Sequence, residues 1–148
     1  YPDITLETVV VDTFAMKMLM DPQDYDVVVT TNMFGDILSD EAAGLVGGLG
    51  MAAGLCVGPD YCMVQATHGS APDIAGKGIA NPFAMIMSAQ MMLSWLGEKK
   101  RDPQAVQAAR EIQEAAEAVL DDKSAVTPDL DGTAGTAEMG RAIRRLLA

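Results

Sequence analysis

The chain has 148 residues, of which 49% are hydrophobic; Lys and Arg number 10 against 21 Asp and Glu, giving a formal net charge of −11. This hydrophobic fraction excludes a disordered chain, and the acidic balance makes the phosphate backbone of a nucleic acid an unfavourable partner. No apolar run is long enough to cross a bilayer and no basic segment with a cleavage site marks a signal peptide. We therefore predict a soluble, cytoplasmic protein without a membrane partner.

The first part of the chain is predicted to alternate strands and helices. Ile4–Val11 is rich in β-branched residues and predicts a strand buried largely on both faces, with Asp12 at its end. A short helix over residues 13–20 should stop at Asp21, because the residue before a proline avoids helical angles. A second apolar strand is predicted over Tyr25–Thr31.

An acidic pair follows the second predicted strand. Asp36 and Asp40 are four residues apart and share one face of a helix that begins near Phe34. Like charges at this spacing cost a helix about 0.2–0.5 kcal/mol. A divalent cation would offset that cost because Mg²⁺ and Mn²⁺ prefer hard oxygen ligands. The alternative is that both are solvent-facing acids of an acidic protein, and the spacing leaves the two interpretations open.

A glycine-rich, apolar crossing occupies residues 44–54. Gly48, Gly50 and Ala53 satisfy the relaxed dinucleotide fingerprint Gly-x-Gly-x-x-Gly/Ala. That fingerprint requires a strand before it and a helix after it. Here it follows a predicted helix and opens no clear one, so we reject a Rossmann site.

The remaining segments predict a strand and three helices. The strand covers Tyr61–Ala66, and a helix that is apolar almost all round covers Asn81–Gly97 and should lie inside the protein. A second helix should begin at Asp102-Pro103 and a last one near Thr136. The two cysteines, with no secretory signal and a single histidine in the chain, are expected to be reduced packing residues.

The most informative stretch is His68–Pro82, which reads His-Gly-Ser-Ala-Pro-Asp-Ile-Ala-Gly-Lys-Gly-Ile-Ala-Asn-Pro. Its three glycines and Pro72 exclude a regular helix or strand and predict a tight loop. Asn81 is a good N-cap and Pro82 suits the first helical position. A loop that leads into a helix N-terminus is suited to an anion or a nucleotide.

This fifteen-residue stretch resembles, nearly residue for residue, the adenosine-binding loop of the metal-dependent β-decarboxylating dehydrogenases, the isocitrate/isopropylmalate dehydrogenase family. The resemblance implies that His68 and the backbone after it pack against adenine, that Asp73 and Ile74 lie at the adenosine ribose, and that Asn81 closes the site. The cofactor-binding residues it implies are His68, Gly69, Ser70, Ala71, Asp73, Ile74 and Asn81.

The stretch from Asn32 to Asp40 resembles the metal-binding helix of the same family. By that resemblance Asp36 and Asp40 bind Mg²⁺ or Mn²⁺. Asp12 matches the third, catalytic metal ligand, which reaches the cation from the other subunit of a homodimer. The Thr-Pro-Asp-Leu stretch that begins at Thr127 resembles the C-terminal end of the family, so the likeness covers essentially the whole chain.

The resemblance implies an α/β fold, the C-terminal part of the two-domain isopropylmalate/isocitrate dehydrogenase-like fold. Residues 1–46 would be the tail of the dimer-forming, metal-binding domain. Residues 47–148 would be the returning half of the cofactor domain. Because the chain begins at Tyr1 and matches about the last two-fifths of a subunit, we expect a truncated chain whose active site is incomplete alone.

The implied reaction is the NAD-dependent oxidative decarboxylation of a 2-hydroxy-3-carboxy acid with a divalent metal. NAD is expected because the Asp73 carboxylate would accept hydrogen bonds from ribose hydroxyls and repel a 2′-phosphate. NADP-dependent members generally carry Lys-Tyr where this chain has Asp73-Ile74.

The substrate is expected to be 3-isopropylmalate or isocitrate, with tartrate, malate or homoisocitrate as alternatives. Residues 65–67 lack the acid and proline that commonly precede the loop histidine in isopropylmalate dehydrogenases. The substrate therefore stays open at this point. Two further alternatives are a non-catalytic regulatory subunit of a hetero-oligomeric isocitrate dehydrogenase and a dimerisation fragment that binds no ligand.

Overall fold

The computed structural model describes residues 1–147 and divides the chain into two compact units, Tyr1–Leu45 and Val46–Ala148. Mixed helix and strand make this an α/β chain, as predicted. The division falls one residue from the predicted domain boundary. That the two units are parts of a metal-binding and a cofactor domain stays a prediction.

The first unit consists of two helices, α1 (Val11–Met20) and α2 (Asn32–Leu45), with a short 3-10 turn at Pro22–Asp24 between them. Its small core is formed by Phe14, Met18 and Leu38. The Tyr25 ring meets the Phe14 ring edge-on, with centroids 4.9 Å apart. Both predicted helices are confirmed, and the first begins two residues earlier than predicted.

Both predicted strands of this unit are wrong. Neither Ile4–Val11 nor Tyr25–Thr31 is a strand, and Val11 already belongs to α1. A strand requires a neighbour that accepts its N–H groups and donates to its carbonyls. No segment among residues 1–147 pairs with either one, and their apolar side chains are exposed, Leu6 by 90% and Val29 by 92%. The apolar composition of the two segments predicted that they would be buried, but the described part of the chain does not bury them.

The second unit begins with an antiparallel ribbon of β1 (Ala53–Val57) and β2 (Cys62–Ala66), in which Ala53 lies opposite Ala66. The sequence predicted β2 but not β1, because Ala53 and Gly54, the first two residues of β1, end the glycine-rich run that was predicted to be a crossing. A Cβ at Gly54 would lie 3.0 Å from the Gln65 carbonyl oxygen, so the glycine permits a close backbone approach.

Three helices complete the unit: α3 (Phe83–Lys100), α4 (Pro103–Asp122) and α5 (Thr136–Leu146). Their shared core consists of Phe83, Ala115, Ala116, Val119, Met139 and Ile143. The predicted cap of α4 is confirmed, because Asp102 Oδ1 accepts from Gln104 N at 2.9 Å and Ala105 N at 3.3 Å. Gly97 lets α4 approach α3, since a Cβ there would lie 2.6 Å from Val106 Cγ2.

Two burial predictions need correction. Helix α3 is not wholly interior: Phe83, Ala84, Ser88 and Gly97 are buried, but Met85 is 52% exposed. Both cysteines are free thiols, yet Cys56 is exposed and therefore does not pack in a core. Within residues 1–147, none of the helices is both long and apolar enough to pass through a membrane.

Candidate functional site: the His68–Pro82 loop and the acidic face of α2

Left-handed backbone conformations shape the loop between β2 and α3. Gly76 and Gly78 have φ angles of 75° and 65°, which glycine adopts without steric cost. Ala71 also lies in this region, at 41°, where a side chain is disfavoured. Two tight turns follow, because Ile74 N donates to Ala71 O at 3.1 Å and Lys77 N donates to Ile74 O at 3.1 Å. The predicted tight loop is confirmed.

The end of the loop is held by α5 and by the start of α3. Thr136 N donates to Gly78 O at 2.8 Å, and the Thr136 hydroxyl donates to Ala80 O. Asn81 Oδ1 accepts from Phe83 N at 2.9 Å. This bond is the side-chain cap predicted for Asn81, and Pro82 is the first residue with helical angles.

The Asn81 side chain is buried and fully occupied by the protein. It is 8% exposed, and its Nδ2 donates to Asp129 Oδ2 at 3.0 Å while lying 3.5 Å from Met51 Sδ. A ligand would therefore meet the backbone of Asn81 rather than its amide. The N–H of Asn81 donates to no other residue within 1–147.

The rest of the loop is exposed and offers unused polar groups. Among the described residues, the backbone N–H groups of residues 68–71 donate to none, and the Asp73 carboxylate has no partner. His68 Nδ1 lies 3.0 Å from Gly69 O. All seven residues predicted to bind the cofactor lie on this single anchored segment. Their contact with NAD stays a prediction.

The acidic pair lies on α2 in the first unit. Asp36 and Asp40 are both exposed and one helical turn apart. Asp36 Oδ2 accepts from Asn32 Nδ2 at 3.0 Å, and the Ser39 hydroxyl donates to Asp36 O at 3.1 Å. Two exposed carboxylates one turn apart can supply hard oxygen ligands to a cation and leave positions for a substrate.

Asp12 lies in the first turn of α1, not at the end of a strand. Its Oδ1 accepts hydrogen bonds from Thr13 N and, at 3.2 Å, from the Thr13 hydroxyl. The helix dipole also stabilises a negative charge in the first turn of a helix. No group of three His, Cys, Asp or Glu side chains able to hold a metal occurs in the part of the chain that the structure describes. That Asp12 reaches the cation from a partner subunit therefore stays a prediction.

Three residues that support the loop were missed by the sequence analysis: Gly50, Asp129 and Thr136. In the sequence, Gly50 belongs to the rejected dinucleotide fingerprint, and Thr136 marks a predicted helix start. Asp129 lies in the Thr-Pro-Asp-Leu stretch that carries the C-terminal part of the resemblance. Their partners are at least 31 residues away in sequence, as the pairs Asn81 with Gly50 and Thr136 with Gly78 illustrate, and local spacing does not reveal such contacts.

Known proteins match this chain over nearly its whole length. An "Isocitrate/homoisocitrate dehydrogenase" of Thermus thermophilus is 48% identical over 97% of this chain and 40% of its own length. The "3-isopropylmalate dehydrogenase" of Methanothermobacter thermautotrophicus is 46% identical over 99% of this chain and 42% of its own. The chain thus spans about two-fifths of the length of these relatives.

A solved structure and a family model agree with these relatives. The crystal structure of isocitrate dehydrogenase from Methylococcus capsulatus superposes with a TM-score of 0.90 at 52% identity, covering 99% of this chain and 42% of that one. The model of the family described as isocitrate/isopropylmalate dehydrogenase matches residues 1–143. The resemblance carried by the loop and by α2 is confirmed, and the chain belongs to the isocitrate/isopropylmalate dehydrogenase family.

Proposed function

We propose that the protein containing this chain catalyses the NAD-dependent oxidative decarboxylation of a 2-hydroxy-3-carboxy acid in the cytoplasm. In this reaction the carbinol hydrogen leaves as hydride to NAD, the hydroxyl loses its proton, and the 3-carboxylate leaves as CO₂. The resulting enolate is then protonated. Relatives named for isocitrate, homoisocitrate and 3-isopropylmalate support this reaction class. Their identities to the chain differ too little to select one substrate.

The observation that carries the proposal is the anchored loop. Its unused N–H groups over residues 68–71 and the free Asp73 carboxylate suit the adenosine half of NAD, since a ribose hydroxyl donates to a carboxylate. The same carboxylate would repel the 2′-phosphate of NADP. Asp73 therefore both binds NAD and selects against its phosphorylated relative.

Asp36 and Asp40 are proposed to hold Mg²⁺ or Mn²⁺, and Asp12 of a second copy to complete the site in a homodimer. The exposed carboxylates of α2 fit the oxygen chemistry that these cations require. When bound, the cation would acidify the substrate hydroxyl and stabilise the enolate charge. The role of Asp36 and Asp40 is to hold and orient that cation.

Both ligand sites can be tested on the 148-residue chain by ¹H–¹⁵N NMR. We expect NAD to shift amide signals of residues 68–81, and NADP to do so only at much higher concentration. We expect Mn²⁺ to broaden the signals around Asp36 and Asp40, and Asp40→Asn to weaken that broadening. Shifts spread evenly over the outer surface of α4, with none in the loop, would contradict the NAD site.

Turnover can be tested in a chimera in which residues 1–143 replace the aligned segment of the Thermus thermophilus enzyme. Isopropylmalate, isocitrate, homoisocitrate, tartrate and malate are offered with NAD, with and without Mn²⁺. We expect metal-dependent NADH formation with one of them. A folded chimera that binds NAD and metal but forms no NADH would instead favour the regulatory-subunit interpretation.

A further inference from the structure

We infer that Asp129 is a positioning residue for the adenosine-binding loop. Its carboxylate fixes the orientation of the Asn81 side chain and thereby the point at which the loop becomes α3. The inference rests on the proposed NAD site, and it names a residue outside the loop on which that site depends.

The Asn81 amide connects Asp129 to the start of α3. Its Nδ2 donates to Asp129 Oδ2 at 3.0 Å, and its Oδ1 accepts from Phe83 N at 2.9 Å. Because the amide group is planar, the acceptor at Nδ2 decides which way Oδ1 points. Asn81 is 8% exposed, so water does not substitute freely for Asp129, and the other neighbour of Nδ2, Met51 Sδ, is a weak acceptor.

Asp129 is itself held on a rigid turn. Thr127 O accepts from Leu130 N at 3.0 Å and from Gly132 N at 3.1 Å, and Ala134 N donates to Val126 O at 3.0 Å. Thr127 is fully buried, and Val126 and Ala134 are each 4% exposed. The backbone that carries the Asp129 carboxylate is therefore packed and hydrogen-bonded on both sides of it.

The backbone of Gly50 also lies against the Asn81–Asp129 pair. A Cβ at Gly50 would lie 2.9 Å from Asn81 Cβ and 3.0 Å from Asp129 Oδ2. This spacing is tighter than ordinary van der Waals contact. The Asn81–Asp129 pair therefore fits against the backbone of Gly50 with no room for a side chain.

The same turn leads directly into the second anchor of the loop. Thr136 follows Ala134 by two residues, and it donates to Gly78 O and Ala80 O. The loop end is thus attached to residues 126–136 at Gly78, Ala80 and Asn81. A shift of Asp129 would change the angle at which the loop enters α3.

The test compares the 148-residue wild-type chain with Asp129→Ala, Asp129→Asn and Gly50→Ala, and with Asp121→Ala as a control that removes an exposed aspartate from α4. Three quantities are measured by NMR and by thermal unfolding: the Kd for NAD, the hydrogen-exchange rate of the Phe83 amide, and the melting temperature. We expect the Kd for NAD to rise about tenfold in Asp129→Ala, the size expected for loss of a charge-assisted hydrogen bond.

Asp129→Asn keeps an acceptor oxygen and should stay within about threefold of the wild-type Kd. Gly50→Ala should raise the Kd without removing any polar group, and Asp121→Ala should leave it unchanged. Wild-type affinity in folded Asp129→Ala, or an equal loss in Asp129→Asn and Asp129→Ala, would overturn the inference. If Asp129→Ala does not fold, Gly50→Ala decides: a raised Kd supports the inference and an unchanged one overturns it.

If the proposed NAD site does not exist, the experiment gives a different result. In that case the wild-type chain itself binds no NAD. The Phe83 amide then still reports on the contact, because faster exchange in Asp129→Ala than in Asp129→Asn supports the positioning of the helix start. Equal exchange in the two variants and the wild type overturns it.

Discussion

Gly132 and Gly140 lie in opposite steric environments. A Cβ at Gly132 would lie 1.9 Å from the Val126 carbonyl oxygen, whereas nothing lies within 4 Å of a Cβ at Gly140. Gly140 is in the interior of α5, where glycine loses more conformational entropy on folding than alanine does. Gly132 is therefore required by backbone packing, and Gly140 is not.

We predict opposite effects of alanine at these two positions. Gly132→Ala should lower the free energy of unfolding by about 3 kcal/mol, because the backbone of the turn must move apart. Gly140→Ala should raise it by about 0.5–1 kcal/mol. Urea unfolding followed by the fluorescence of Trp95, the only tryptophan, measures both. Equal effects of the two substitutions would contradict the steric explanation.

A second prediction at this scale concerns cofactor choice. Asp73→Lys combined with Ile74→Tyr should raise the ratio of kcat/KM for NADP to that for NAD, because a cation replaces the carboxylate that repels a 2′-phosphate. The ratio is measured in the chimeric enzyme. Asp121→Lys, which makes the same charge change on α4, is the control. No rise in the ratio would refute the assignment of Asp73.

At the scale of elements, the start of α4 is a capped helix N-terminus. Asp102 Oδ1 accepts from the N–H groups of Gln104 and Ala105, and Pro103 occupies the position that needs no donor. We predict that Asp102→Ala lowers the free energy of unfolding by about 1 kcal/mol and that Asp102→Asn costs less than about 0.5 kcal/mol. Urea unfolding of both variants tests this, and an equal loss in the two would argue against capping.

Features that depend on residues close in sequence were predictable, and features that depend on residues far away in sequence were not. The caps at Asn81 and Asp102 follow from residues two or three positions away, so α3 and α4 were predicted nearly to their first residue. The segments Ile4–Val11 and Tyr25–Thr31 have strand composition but no ladder partner among residues 1–147. The Asp129 anchor joins residues 48 positions apart. No periodicity in sequence reports such a contact.

At the scale of the whole molecule, apolar side chains are exposed on α2 beside the acidic pair. Met33 is 62% exposed and Ile37 is 60% exposed, one turn apart. Their burial against a second copy would favour the proposed homodimer, because apolar area removed from water stabilises association. The two aspartates share this helix, so dimer formation and metal binding should be coupled.

We predict that sedimentation equilibrium gives twice the monomer mass of 15.6 kDa and that Ile37→Glu shifts the protein toward monomer. The control is Met85→Glu, which places the same charge at a similarly exposed position in the second unit. Mn²⁺ affinity should fall in Ile37→Glu and rise with protein concentration in the wild type, since Asp12 is proposed to come from the partner. Concentration-independent Mn²⁺ affinity would contradict a shared site.

The two anchors of the proposed adenosine-binding loop also determine when the loop can form during translation. Gly78 is held by Thr136, which is synthesised 58 residues later, and Asn81 is held by Asp129. A nascent chain that ends before residue 129 can form the β1–β2 ribbon and α3 but lacks both attachments. Domains generally fold as units, and synthesis proceeds from the N-terminus. The loop proposed to meet the nucleotide therefore acquires its final shape only after residues 129 and 136 have been synthesised, and removal of α5 would remove its attachment to Thr136.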